Sequence, residues 1–144
     1  MRQGFRLGIA AETRWDGADG VGAKFTEFAE ARGLPAAIRR SMSVALDELL
    51  ANTIAYGGAA RIVVDVALYP DRLSVMLIDD GGPFDPFGQA PPPPPPGTAL
   101  PLEERKIGGD GIQLVRKMMD DVRYERRSDR NVVVLTKRLK TEEG

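Results

Sequence analysis

The 144-residue chain has no cysteine and no histidine. The first absence excludes disulfides, thiolate nucleophiles and cysteine-ligated zinc. The second excludes a Ser-His-Asp triad, a HExxH zinc site and a phosphohistidine carried by this chain. Any acid–base work falls to Asp, Glu, Lys, Tyr or water. No run of about 18 apolar residues occurs, so no segment is expected to span a bilayer. Charge of either sign is not in excess. The formal net charge of −1 gives no electrostatic reason to expect nucleic acid or an anionic membrane as partner. The first residues, MRQGFRLGIAAETRW, lack the long apolar core of a secretory leader. A cytoplasmic location is therefore the expectation.

What is present is the composition of an ordinary globular protein, 42% hydrophobic and 28% charged. The length predicts a single domain over residues 1–144. Phe5 to Ile9 alternates like a short strand. Residues 24–31 look helical and stop at Gly33, a suitable C-cap. Pro35 suits the first turn of a second helix running to about Tyr56, with Ile38, Met42, Ala45, Leu46, Leu49 and Thr53 on one face. Arg61–Tyr69 and Arg72–Ile78 read as a hairpin around Pro70-Asp71. A third helix is expected over Gly109–Met119. Val122–Arg127 and Val132–Leu139 form another strand pair around Ser128-Asp129-Arg130. Between Asp79 and Ile107 there is no periodicity, and six consecutive prolines, Pro91 to Pro96, forbid helix or interior strand. The order predicts an α+β two-layer sandwich. A mixed, mostly antiparallel sheet is covered on one face by about three helices.

Three stretches carry chemistry. In Asp47-Glu48-Leu49-Leu50-Ala51-Asn52, Glu48 and Asn52 are four residues apart and share one side of the long helix. A carboxylate there can take a proton from a hydroxyl, and an amide oxygen is a hard ligand for Mg²⁺. An exposed surface pair is the plain alternative. In Asp79-Asp80-Gly81-Gly82-Pro83-Phe84-Asp85-Pro86, Asp79 closes an apolar strand and is expected to be partly buried, where it needs donors. The exocyclic amine of adenine is one such donor, and an Asx-type turn at the strand end is the alternative. Gly108-Gly109-Asp110-Gly111 opens the third helix, whose N-terminal N–H groups suit a phosphate. Arg105 and Lys106 precede it.

Together, ELLAN, DDGGPFDP and GGDGIQLV resemble the nucleotide-binding boxes of the GHKL ATPase superfamily, which includes gyrase, Hsp90, histidine kinases and MutL. The order and spacing agree over roughly residues 45 to 138. GGPFDP, EERKIGGDGIQLVRKMMDDVRYERR and NVVVLTKRL look most like the bacterial anti-sigma factor serine/threonine kinases of the switch-protein kinase type. The resemblance implies the Bergerat fold, with ATP and Mg²⁺ as cofactors. It implies that Glu48 is the catalytic base, that Asn52 holds the metal ion, and that Asp79 and Gly81 receive adenine. Gly108, Gly109 and Gly111 would embrace the phosphates, and residues 84–107 would form a proline-rich ATP lid. Asp110, Pro83, Tyr56 and the Val132-Val133 pair depart from residues common in relatives.

The function so implied is a serine/threonine protein kinase. It would phosphorylate an anti-sigma factor antagonist of the STAS type and switch partners with a sigma factor. Homodimers are common in such families. A nucleotide-binding interaction module without kinase activity is the alternative. A histidine kinase fragment and a ligand-free scaffold rank behind both.

Overall fold

The computed structural model describes residues 5–12, 15–54, 58–87 and 111–139. Five strands form one sheet in the order β1-β2-β3-β5-β4. They are β1 (Phe5–Glu12), β2 (Arg61–Leu68), β3 (Arg72–Asp79), β4 (Asp121–Arg127) and β5 (Arg130–Arg138). Among the described residues every ladder is antiparallel, in keeping with the mostly antiparallel sheet expected. The helices are α1 (Trp15–Ala31), α2 (Ala36–Asn52) and α3 (residues 111–118).

The register places Val64, Leu77 and Val133 in one cross-strand row, and Val66, Val75 and Leu135 in the next. All six are buried and share one core cluster with Val21, Phe25 and Ala29 of α1, with Met42, Ala45, Leu46, Leu49 and Leu50 of α2, and with Ile112 and Val115 of α3. The helices therefore cover one face of the sheet, as a two-layer sandwich requires. The following row runs Ile62, Asp79, Asn131, Arg126. There the core stops being apolar, and the candidate site begins.

Local chemistry explains the connections. Gly33 has φ +72°, its N–H donates to Glu30 O, and the Leu34 N–H donates to Ala29 O. This is a Schellman motif, in which glycine takes the left-handed cap without a Cβ penalty. Pro35 then sits at the N-cap of α2, one step ahead of the first-turn place expected for it. The tip of the β4–β5 hairpin holds Ser128 and Asp129 at φ 48° and 63°, between the paired Arg127 and Arg130. Two positive φ values make a type I′ turn, whose twist matches the strands. The helix expected over residues 24–31 starts instead at Trp15. Gly17, Gly20 and Gly22 lower its intrinsic propensity, but Val21 and Phe25 are fully buried at helical spacing, and packing overrides propensity. Similarly, β1 extends to Glu12 because all eight of its residues pair with β2.

Candidate nucleotide-binding site

Helix α2 delivers Glu48 and Asn52 at its C-terminal end. Both follow from the helical repeat, but they are not a surface pair: Asn52 is buried at 4% exposure and Glu48 is half-buried. Asn52 Nδ2 donates to Glu48 Oε2 at 3.4 Å. Asn52 Oδ1 accepts no hydrogen bond among the described residues, so a hard amide oxygen is left for a cation. A wider helical turn is present at residues 53–54, just after the Thr53 N–H is shared between Leu49 O and Leu50 O, four and three residues back. Such widened turns are frequent at functional sites. Partial burial pushes the Glu48 carboxyl above its ordinary value of 4.5, and the Asn52 hydrogen bond opposes that shift.

Gly111, at the described start of α3, lies directly against Glu48. A Cβ built there would fall onto the carboxylate carbon and both carboxylate oxygens. The structure thus brings Gly111 to the Glu48–Asn52 pair, from which it is distant in sequence. Gly108, Gly109 and Asp110 lie outside the described residues, as do Arg105, Lys106, Tyr56 and the polyproline run.

The second cluster stands at the C-terminal end of β3. Asp79 is buried, and its Oδ1 accepts from the Gly81 N–H at 2.9 Å and from Asn131 Nδ2 at 3.0 Å. The bond to Gly81 is the Asx-type turn foreseen as the plain alternative. Oδ2 of Asp79 receives no donor among the described residues. The neighbouring Asp80 does something different. It is exposed, and its Oδ1 accepts from the N–H groups of Ala60 and Arg61, at 2.9 and 3.1 Å. Those two bonds, the one from Arg61 foremost, hold its carboxyl below the ordinary 3.8.

Residues 84–87, assigned from sequence to the lid, are fastened to the body. The Phe84 N–H donates to Asn131 Oδ1 at 3.2 Å, the Phe87 N–H to Asp85 Oδ1 at 2.9 Å, and Arg116 NH2 to Phe87 O at 2.7 Å. Phe87 also packs on the core. Through Arg116 the loop after Asp79 is tied to α3, which carries Gly111. Sequence reasoning missed Asn131, Tyr124 and Arg126. The only available signal was an isolated asparagine opening a β-branched strand.

No cluster of three acidic or other metal-ligating side chains exists among the described residues. A cation on Asn52 would therefore complete its shell with phosphate oxygens and water, the usual habit of Mg²⁺. Among the described residues no helix is long and apolar enough to cross a membrane.

The family model of the histidine kinase-like ATPase domain matches residues 13–137. The chain belongs to that family. The resemblance read from the three boxes is borne out at this level, and ATP is the nucleotide the family implies. The chain is 32% identical over 108 residues to the serine-protein kinase RsbW of Bacillus pumilus, covering 70% of this chain and 65% of that protein. It is 28% identical over 105 residues to the serine/threonine-protein kinase BtrW of Bordetella bronchiseptica, with 70% and 71% covered. The chain thus spans about two thirds of the length of the RsbW relative. Among solved structures, the RsbU and RsbW domains of Rv1364c from Mycobacterium tuberculosis superpose with TM-score 0.66 at 17% identity, over 95% of this chain and 34% of that one. The SiaB–SiaC complex of Pseudomonas aeruginosa gives 0.54 at 12% identity, over 92% and 89%. At such identities these two show that the ATPase-domain fold is shared.

Proposed function

We propose that this protein is an ATP-dependent serine/threonine protein kinase that acts by partner switching, with a STAS-type anti-sigma factor antagonist as substrate and a sigma factor as the alternative partner. The observation that carries the reading is the seat of Glu48. A half-buried carboxylate of raised basicity is pressed against the start of a helix, where phosphate is favoured. Similarity to the RsbW and BtrW kinases supports the transfer chemistry.

In this reading adenine enters against Asp79 and Gly81, and its exocyclic amine donates to Asp79 Oδ2. Gly108, Gly109 and Gly111 approach the phosphates through their backbone. Asn52 would hold Mg²⁺, which would supply neutralisation of phosphate charge. Glu48 accepts the proton of a serine or threonine hydroxyl as its oxygen forms the new P–O bond, and ADP departs with the bond electrons. The protein's contribution is chiefly position and electrostatics, as in phosphoryl transfer generally. The lid read from sequence at residues 84–107 falls, beyond Phe87, outside the described residues. Transfer adds about −2 charge to the antagonist, enough to break a docking face.

The test is a calorimetric titration of Mg-ATP into wild type and Asp79→Asn, followed by labelled-phosphate transfer to the antagonist by wild type and Glu48→Gln. Binding by wild type, its loss in Asp79→Asn, and transfer abolished in Glu48→Gln support the proposal. Binding without any transfer by wild type would leave a nucleotide-dependent interaction module instead. No binding by wild type would end the nucleotide reading.

A further inference from the structure

Asn131 is 2% exposed and uses its whole side-chain amide. Nδ2 donates to Asp79 Oδ1 at 3.0 Å and to Gly82 O at 2.8 Å. Oδ1 accepts from the Tyr124 hydroxyl at 2.6 Å, from the Phe84 N–H at 3.2 Å and from Arg126 NH1 at 3.2 Å. The orientation of this amide is forced. Phe84 N–H and Arg126 are obligate donors, so a flipped amide would set donor against donor on one side and acceptor against acceptor on the other. Arg126 NH1 also donates to Gly81 O at 2.7 Å, so both glycines after Asp80 are gripped through their carbonyls.

The consequence falls on Asp79. One of its oxygens is saturated by two donors, Gly81 N–H and Asn131 Nδ2, and its plane is fixed. Only the other oxygen remains to receive a ligand. A single fixed acceptor matches a single exocyclic N–H. It opposes a carbonyl in the same place, since two acceptors then face each other in a buried site. We infer that Asn131 is the positioning residue that makes this site prefer a 6-aminopurine over a 6-oxopurine, by locking Asp79 into one-acceptor recognition. The inference rests on the proposed meeting of Asp79 with the base. It extends that proposal to a residue on another strand that does not itself touch the nucleotide.

The experiment titrates Mg-ATP and Mg-inosine triphosphate, which differ only at the C6–N1 edge of the base, into wild type, Asn131→Ala and Asn131→Thr. Wild type is expected to favour ATP by roughly ten- to a hundredfold, the usual cost of one buried group left facing the wrong partner. In Asn131→Ala the ratio falls at least about tenfold, because Asp79, then held by the Gly81 N–H alone, can turn to accept the N1–H of inosine. Asn131→Thr keeps a hydroxyl donor for Asp79 Oδ1 and retains most of the preference. A residue that merely supports the fold would weaken both nucleotides alike and leave the ratio unmoved, and that result overturns the inference. Equal binding of both nucleotides by wild type overturns it while leaving the nucleotide reading intact. Binding of neither by wild type removes the nucleotide reading itself. If Asn131→Ala no longer melts cooperatively, Asn131→Thr decides: a ratio that collapses despite a retained donor contradicts the inference, and a preserved one supports it.

Discussion

The backbone of Gly111 stands where any side chain would collide with the carboxylate of Glu48. The obstruction is the far end of a flexible side chain and not backbone. Gly111→Ala should therefore fold, since alanine also suits a helix better than glycine by about 1 kcal/mol. The added methyl must instead displace Glu48. If Glu48 is the base, transfer to the protein substrate drops roughly 10²- to 10⁴-fold while the melting temperature holds or rises. Adding Glu48→Gln to that variant should cost little more, because both changes remove one function. A Gly111→Ala protein with wild-type transfer would show that Glu48 need not sit there.

The raised pKa of Glu48 has a sign that can be worked out. Its folded value lies above the unfolded one because burial disfavours the charge. Folding then carries a cost that is full above the folded pKa and vanishes below the ordinary 4.5. Glu48→Gln is thus expected to be more stable than wild type at neutral pH. Its advantage shrinks as pH falls and is gone in acid below the ordinary value. Denaturant midpoints of the two proteins across pH 4 to 8 measure this directly. Over the same range transfer by wild type should decline on the acid side as the base takes up its proton.

Much of this arrangement could be read before the fold was known, and the reasons for the rest are physical. Glu48 and Asn52 were visible because a helix repeats locally, and Asp79 because an apolar strand ended in a carboxylate. The partners of Asp79 were not visible. Asn131 reaches it only through the β3–β5 ladder, a pairing between strands separated by residues 80–129. Nothing in a period of two tells which distant strand will lie alongside. The meeting of Gly111 with Glu48 was implied only by the family resemblance, which put both in one nucleotide site; neither helix repeat shows it. The start of α1 was missed on different grounds, since three glycines masked an element held together by the packing of Val21 and Phe25.

Asp79 and Asp80 are adjacent carboxylates with separable tasks. Asp80 bonds the Ala60 and Arg61 N–H groups and so anchors the start of β2 to the end of β3. Asp80→Ala should lower stability and leave nucleotide affinity within about twofold, whereas Asp79→Asn should abolish affinity first. The pKa of Asp80 is depressed on folding, so its contribution is present above the ordinary 3.8 and is lost as pH falls through the lower folded value. Wild type and Asp80→Ala should accordingly converge in acid unfolding curves and diverge near neutrality. Equal stability at pH 7 would show that the two backbone bonds are replaced by water at no cost.

The hairpin tip offers a stabilising change that should leave the site untouched. Ser128 and Asp129 both hold left-handed backbone, which costs a residue with a Cβ about 1–2 kcal/mol, less for aspartate, whose short polar side chain tolerates it. Glycine at the second position of a type I′ turn removes that strain but adds freedom to the unfolded chain. The net expectation for Asp129→Gly is a gain of about 0.5 kcal/mol, read as a melting temperature a few degrees higher. Because Asn131 follows only two residues later on β5, the same variant also tests whether the turn sets its register. An unchanged ATP affinity together with a higher melting temperature means that the β3–β5 ladder alone holds Asn131 in place. A loss of affinity would mean that the left-handed aspartate helps to hold it.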